Sequence, residues 1–272
     1  MGTKGDSPIM NVLIGWLRKR SKRVKIILGA LLFIFALLAL KFTVEDTVHL
    51  YLVSRIIHLA GIIVLIHKLF YRKTCSGLSL KTQEITALYL ASRIGLSYLM
   101  VGNIHTVLDF ITLVSTLLVI WAIRFRFKSS YVKELDSLKR SLVVVPCAIL
   151  AVLIHPYTPH PRLSRISWAF SGYLEAVSVL PQLHFLQNAK IVETLTGYYV
   201  FALGVSRFLQ MAHWIIQSYE NPGLYFFMIE NGNFWFAAAF IAEMVQSFIL
   251  ADFCYYYMKS FIQGQLLRKM PI

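Results

Sequence analysis

"GYYVFALGVSRFLQMAHWII" (Gly197–Ile216) is twenty residues long and apolar enough to cross a bilayer, yet it carries Arg207 at its middle. A charge at bilayer depth costs roughly 2.5–3.5 kcal/mol on insertion scales, so such a residue faces a bundle interior or a wet cavity. The same pattern of apolar runs with rare charges extends outward from this stretch. Of the 272 residues 57% are hydrophobic, and mean hydropathy is +0.64. A soluble domain of this length does not carry that much apolar surface.

Runs of membrane-spanning length lie at 25–42, 51–70, 84–101, 105–123, 142–154 (short), 166–186, 198–216 and 234–257. The first is read as a retained anchor, with a signal peptide as the alternative; no small-x-small cleavage site follows it. With the N-terminus in the cytosol, alternation puts 20 Lys and Arg in cytosolic segments and three (Lys41, Arg162, Arg165) in lumenal ones. That asymmetry places both termini in the cytosol. The net charge of +14 therefore belongs to loops, and nucleic acid is excluded as a partner because no basic stripe interleaves with aromatics. "MNVLIGWLRKRSKRVK" (Met10–Lys25) is either an interfacial helix on anionic lipid or topology-setting charge alone.

Residues 77–93, "GLSLKTQEITALYLASR", echo 193–207, "ETLTGYYVFALGVSR", at an offset of 114. Both pass from a polar turn into an apolar helix ending in Ser-Arg (Ser92-Arg93, Ser206-Arg207). Two parallel three-helix units joined by one linking helix satisfy this spacing. Pro181 is expected to kink or break the span at 166–186.

Three polar stripes run along the spans: Arg165, Trp168, Gly172 and Glu175; Arg207, Gln210, Trp214 and Gln217; Tyr51, Arg55 and His58. Their spacing puts each set on one side of a helix. Together they predict a polar pocket opening to the lumen, with Arg207 opposite Glu175. For each member a plainer role stays open: an ion pair that only holds the bundle, tryptophans of the interfacial belt, a satisfied core imidazole at His58. No phosphate loop, nucleophile elbow or metal-spaced histidine pair is present, so no enzyme, cofactor or metal is expected. Cys75, Cys147 and Cys254 define no disulfide framework.

The stretches "CSGLSLKTQ" (75–83), "LVVVPCAILAVLIH" (142–155), "WAFSGYLEAVSVLPQL" (168–183), "YYVFALGVSRFL" (198–209) and "DFCYYYMKSFIQG" (252–264) resemble the KDEL receptors, the ER lumen protein-retaining receptors. The resemblance covers 51–263. It implies an all-α membrane fold with a seven-helix core similar to SWEET and PQ-loop proteins, occupying 47–272. Residues 1–46 would add the basic segment and one further transmembrane helix.

It further implies a multi-pass receptor of ER and Golgi membranes. Such receptors capture the C-terminal tetrapeptides of lumenal proteins at the lower Golgi pH. Arg93 would hold the terminal carboxylate, Trp168 and Trp214 would wall the pocket, and His58 would sense pH. Glu175, with Arg207 beside it, would belong to the pH-linked lock. This chain departs from the family pattern at several of these positions. Arg165 stands where the ligand lysine meets an acid, Tyr51 and Gln217 stand where arginines are found, and Ser206 and Ile94 replace tyrosines.

A desolvated like-charge contact costs several kcal/mol, a hundredfold or more in affinity, so Arg165 is expected to shift tail preference away from lysine. Arg268 and Lys269 leave a reduced coat-binding signal at the tail. Two other functions fit the same residues: a small-solute transporter, and a scaffold without ligand.

Overall fold

The computed structural model describes residues 48–100, 104–189, 192–221, 223, 230 and 232–262. The chain divides into two units, Met1–Thr47 and Val48–Ile272. The expected first span at 25–42, the basic segment Met10–Lys25 and the tail residues Arg268 and Lys269 lie outside the described residues.

Within the second unit the described residues are helical, with no strand among them. The elements are α1 (Val48–Arg72), α2 (Leu80–Met100), α3 (Ile104–Trp121), α4 (Ser141–Leu153), α5 (Arg162–Val177), α6 (Leu180–Asn188), α7 (Thr194–Glu220) and α8 (Trp235–Ile262). A π-helical turn at Ala122–Arg126 continues α3. Apolar segments in lipid must satisfy their own backbone groups, which helices do internally.

The stretches His49–Arg72, Ile104–Arg126 and Trp235–Met258 are long and apolar enough to cross a membrane on composition alone. Ser141–Leu153 is apolar but shorter, and α2, α5 and α7 carry polar residues that meet across the bundle. Ile63, Leu117, Leu153 and Phe248 are exposed on the outside, as a lipid-facing surface requires, while Lys68, Arg207 and Glu175 are buried.

The span expected at 166–186 is two helices. α5 ends at Val177, and Pro181 stands in the first turn of α6, where a missing N–H costs nothing. At the break the Glu175 carbonyl accepts from the Ser178 N–H at 3.3 Å and from two side chains. Ser178 Oγ donates to it at 2.8 Å and Gln246 Nε2 of α8 at 3.2 Å. In α6, Gln182 accepts from the Ser79 N–H at 2.9 Å and donates to the Gly77 carbonyl at 2.8 Å, tying the 73–79 turn down. The Leu-Pro-Gln stretch is thus a helix restart whose glutamine binds the opposite repeat.

The packing repeats with the sequence. α2 packs on α3 as α7 packs on α8; α1 packs on α3 as α5 packs on α8. The two units meet through α1 against α7 and α2 against α5. Exchanging α1 for α5, α2 for α7 and α3 for α8 maps each of these contacts onto another, and α4 links the halves by packing on α5. Small residues permit close crossings: a Cβ on Gly61 would stand 3.2 Å from Ala202 Cβ, and one on Gly204 would overlap Cys254 Sγ. One apolar core joins α1, α7 and α8 through Ile62, Leu65, Val200, Leu203, Leu250 and Phe253. A second joins α2, α4 and α5 through Ile85, Leu90, Val143, Cys147 and Leu174.

At the end of the bundle where α2 and α7 begin, Lys68 is fully buried. Its ammonium meets Glu193 Oε2 at 2.8 Å and Thr196 Oγ1 at 2.6 Å, and donates to the Ser76 carbonyl. Asp136 accepts from Ser79 Oγ at 2.9 Å, from the Lys81 N–H at 3.2 Å and from Tyr131 Oη at 2.5 Å. Burial, then the contact with Asp136, pushes the Tyr131 hydroxyl well above the ordinary tyrosine range.

Candidate functional site: a charged cavity between the repeats

The opposite end of the bundle holds a cavity of about 530 Å³, within the range of sites that take small ligands. Its walls come from α1 (Tyr51, Arg55), α2 (Arg93), α3 (His105, Asp109), α5 (Trp168, Glu175), α7 (Gln210, Trp214) and α8 (Trp235, Glu243). The two repeats therefore both contribute.

At its floor three arginines surround Glu175. Arg207 Nη1 donates to Glu175 Oε1 at 2.5 Å, Arg55 Nη1 to the same oxygen at 3.2 Å, and Arg93 Nη2 to Oε2. Arg55 Nη1 also donates to Asp109 Oδ1 at 3.3 Å, and Arg93 Nη1 stands 3.6 Å from Asp109 Oδ2. The network continues from Arg207 Nη1 to Gln210 Oε1 at 2.9 Å and from Gln210 Nε2 to Glu243 Oε1 at 3.0 Å. Arg55 also donates to the Tyr51 hydroxyl, and its guanidinium stands 4.7 Å from that ring's centroid. Isolated charges could not be held at this depth; paired and hydrogen-bonded ones can.

Accessibility distinguishes the three arginines. The Arg55 and Arg207 side chains are 4% and 3% exposed, whereas Arg93 is 17% exposed. Arg93 Nη1 has no hydrogen-bond partner. Above the floor the wall is aromatic: Tyr173 packs edge-on to Trp235 with centroids 5.4 Å apart, and Trp214 lies 5.3 Å from Phe236. Tyr51 packs 5.2 Å from His105 and 5.7 Å from His213.

Of the residues singled out in the sequence, Tyr51, Arg55, Arg93, Trp168, Gly172, Glu175, Gln210 and Trp214 line the cavity. Arg207 does not; it lies behind Gln210 and braces Glu175 from within. His58 is buried in α1 and is not among the lining residues. Ser206 is buried with its hydroxyl 3.2 Å from Ser54 Oγ, an α7 to α1 contact. Arg165 and Gln217 also do not line the cavity; the Arg165 guanidinium stands 5.8 Å from the Tyr157 ring centroid. Asp109 and Glu243 line the cavity and were not anticipated from sequence. Each is a lone carboxylate in an otherwise apolar span, a signal that by itself marks a functional position. Among the described residues no group of three metal-ligating side chains occurs.

Fold and site together define a multi-pass helical membrane protein of two three-helix repeats that holds a ligand-sized, charged cavity at one end. The family model for ER lumen protein retaining receptors matches residues 74–217. An ER lumen protein-retaining receptor of Caenorhabditis elegans is 35% identical over 217 residues, 79% of this chain and 95% of the relative. Receptor B of Arabidopsis thaliana is 34% identical over 214 residues, 78% and 94%. The receptor of Entamoeba histolytica is 30% identical over 210 residues, 77% and 92%. The chain belongs to the ER lumen protein-retaining receptor family, and is a multi-pass membrane protein of the secretory pathway.

Proposed function

We propose that the cavity grips the C-terminal carboxylate of a lumenal protein's tail through Arg93, and that the chain retrieves such proteins from Golgi to ER. The carrying observation is the Arg93 guanidinium: it fronts the cavity, and its Nη1 makes no hydrogen bond, only a 3.6 Å ion-pair contact with Asp109 Oδ2. A carboxylate is the group that a partly desolvated guanidinium binds best. The names of the relatives, receptors that retain ER lumenal proteins, support the same reading. Tail preference is proposed to differ from lysine-first tails, because Arg165 stands one turn outward of the wall residue Trp168. Capture at lower pH would act through His58, which is buried in α1 one turn from Arg55.

In this reading 47–272 is the receptor domain, the cavity faces the lumen and both termini are cytosolic. Met10–Lys25 would meet anionic lipid, and Arg268 and Lys269 would meet coat proteins. The test is direct binding of free-acid tetrapeptides to the purified full chain at pH about 5.5 and about 7.4, on either side of the histidine reference value. Binding that is tighter at the lower pH and lost on amidation is expected. Solute uptake into vesicles without tail binding would overturn the proposal in favour of a transporter.

A further inference from the structure

The cavity contains a second unmet polar group, of opposite sign. Glu243 on α8 is 7% exposed and lines the cavity. Its Oε1 accepts from Gln210, while its Oε2 is buried with no hydrogen-bond partner. Gln246 Oε1 and Ser247 Oγ, about one turn further along α8, also lack partners, but neither lines the cavity. Glu243 therefore borders the cavity with one carboxylate oxygen unmet, an acceptor that a turn of its side chain would present to an occupant. Leaving such an oxygen unpaired and buried is costly, and more so for a carboxylate than for a neutral group.

Charge balance says what that something is. The network holds three arginines (Arg55, Arg93, Arg207) and three carboxylates (Asp109, Glu175, Glu243). An incoming chain-end carboxylate adds one negative charge to a buried, balanced set. A ligand that also brings one cationic group restores the balance and supplies the donor that Glu243 Oε2 lacks. We infer that Glu243 is a specificity-determining residue: it receives a basic side chain of the bound tail while Arg93 holds the tail's carboxylate. This rests on the carboxylate-capture reading above. It concerns a position in the tail separate from the one facing Arg165, since Arg165 is not part of the cavity lining.

The experiment uses the full chain in nanodiscs and free-acid tetrapeptides of alanine ending in leucine. Lysine or methionine, similar in length but differing in charge, is placed at each of the first three positions. One amidated peptide serves as the carboxylate control. In the unaltered chain lysine should outbind methionine roughly tenfold or more at one position, the scale of a charge-assisted hydrogen bond. Glu243→Gln keeps the acceptor for Gln210 and should cut that ratio below about threefold. Glu243→Asp, which retains the charge, should keep most of it, and all three proteins should still prefer free acid to amide.

No lysine preference at any position, or an equal one in Glu243→Gln, with free acid still preferred, overturns the role of Glu243 and leaves carboxylate capture standing. The scan on the unaltered chain can overturn that role even where Glu243→Gln does not accumulate. Equal binding of acid and amide overturns carboxylate capture and this inference with it.

Discussion

Glu175→Gln is the substitution to which the bundle should be most sensitive. The side chain is 3% exposed and accepts from Arg55, Arg93 and Arg207. Glutamine keeps the shape but removes the charge, so three guanidinium groups remain with Asp109 and the more distant Glu243. Breaking a buried pair by removing one partner costs about 3–5 kcal/mol. At roughly 2–4 °C per kcal/mol for a unit of this size, the expected fall in melting temperature is about 6–20 °C. Glu84→Gln is the control: its partners Arg124 and Arg140 are 48% and 57% exposed, so its cost is about 0–1 kcal/mol. The assay is thermal unfolding of detergent-solubilised full-length protein, read by intrinsic fluorescence. A Glu175→Gln melting temperature within 2 °C or so of the parent, or no lower than that of Glu84→Gln, would refute the claim that one carboxylate organises the floor.

Other consequences are smaller but separable. Gly204→Val should force α7 from α8, because even a Cβ there overlaps Cys254 Sγ; a loss of about 1–3 kcal/mol is expected, measured by the same melts. Lys68→Met should release the 73–79 turn by removing the donor to Ser76, Thr196 and Glu193, seen as faster amide exchange over 74–79 with little change in α3. A glycosylation sequon engineered into 156–160 should be modified in cells if that loop is lumenal, and an unmodified sequon there would reverse the proposed orientation.

The fold was largely legible because bilayer physics leaves few choices: apolar runs must be helices, and the Ser-Arg echo fixed which helices correspond. Pro181 marked the break between α5 and α6. Pairing of Arg207 with Glu175 was readable because each sat on a polar stripe, and opposite charges in lipid seek each other.

The exact lining was less legible. A step of three residues turns a helix by about 300°, so a stripe drifts by about 60° and its ends leave the shared face. Arg165 and Gln217 are such ends, and neither lines the cavity. Asp109 and Glu243 belong to no stripe. Their only sequence signal was charge within an apolar span, and nothing in the sequence said that Gln210 would carry the network from Arg207 across to α8.

The proposed function depends above all on Arg93 meeting a chain-end carboxylate. The most direct measurement is the ratio of free-acid to amidated tail affinity in the parent and in Arg93→Gln. A ratio of about tenfold or more is expected in the parent, falling close to one in the variant. A parent ratio near one, or an undiminished ratio in Arg93→Gln, would contradict it.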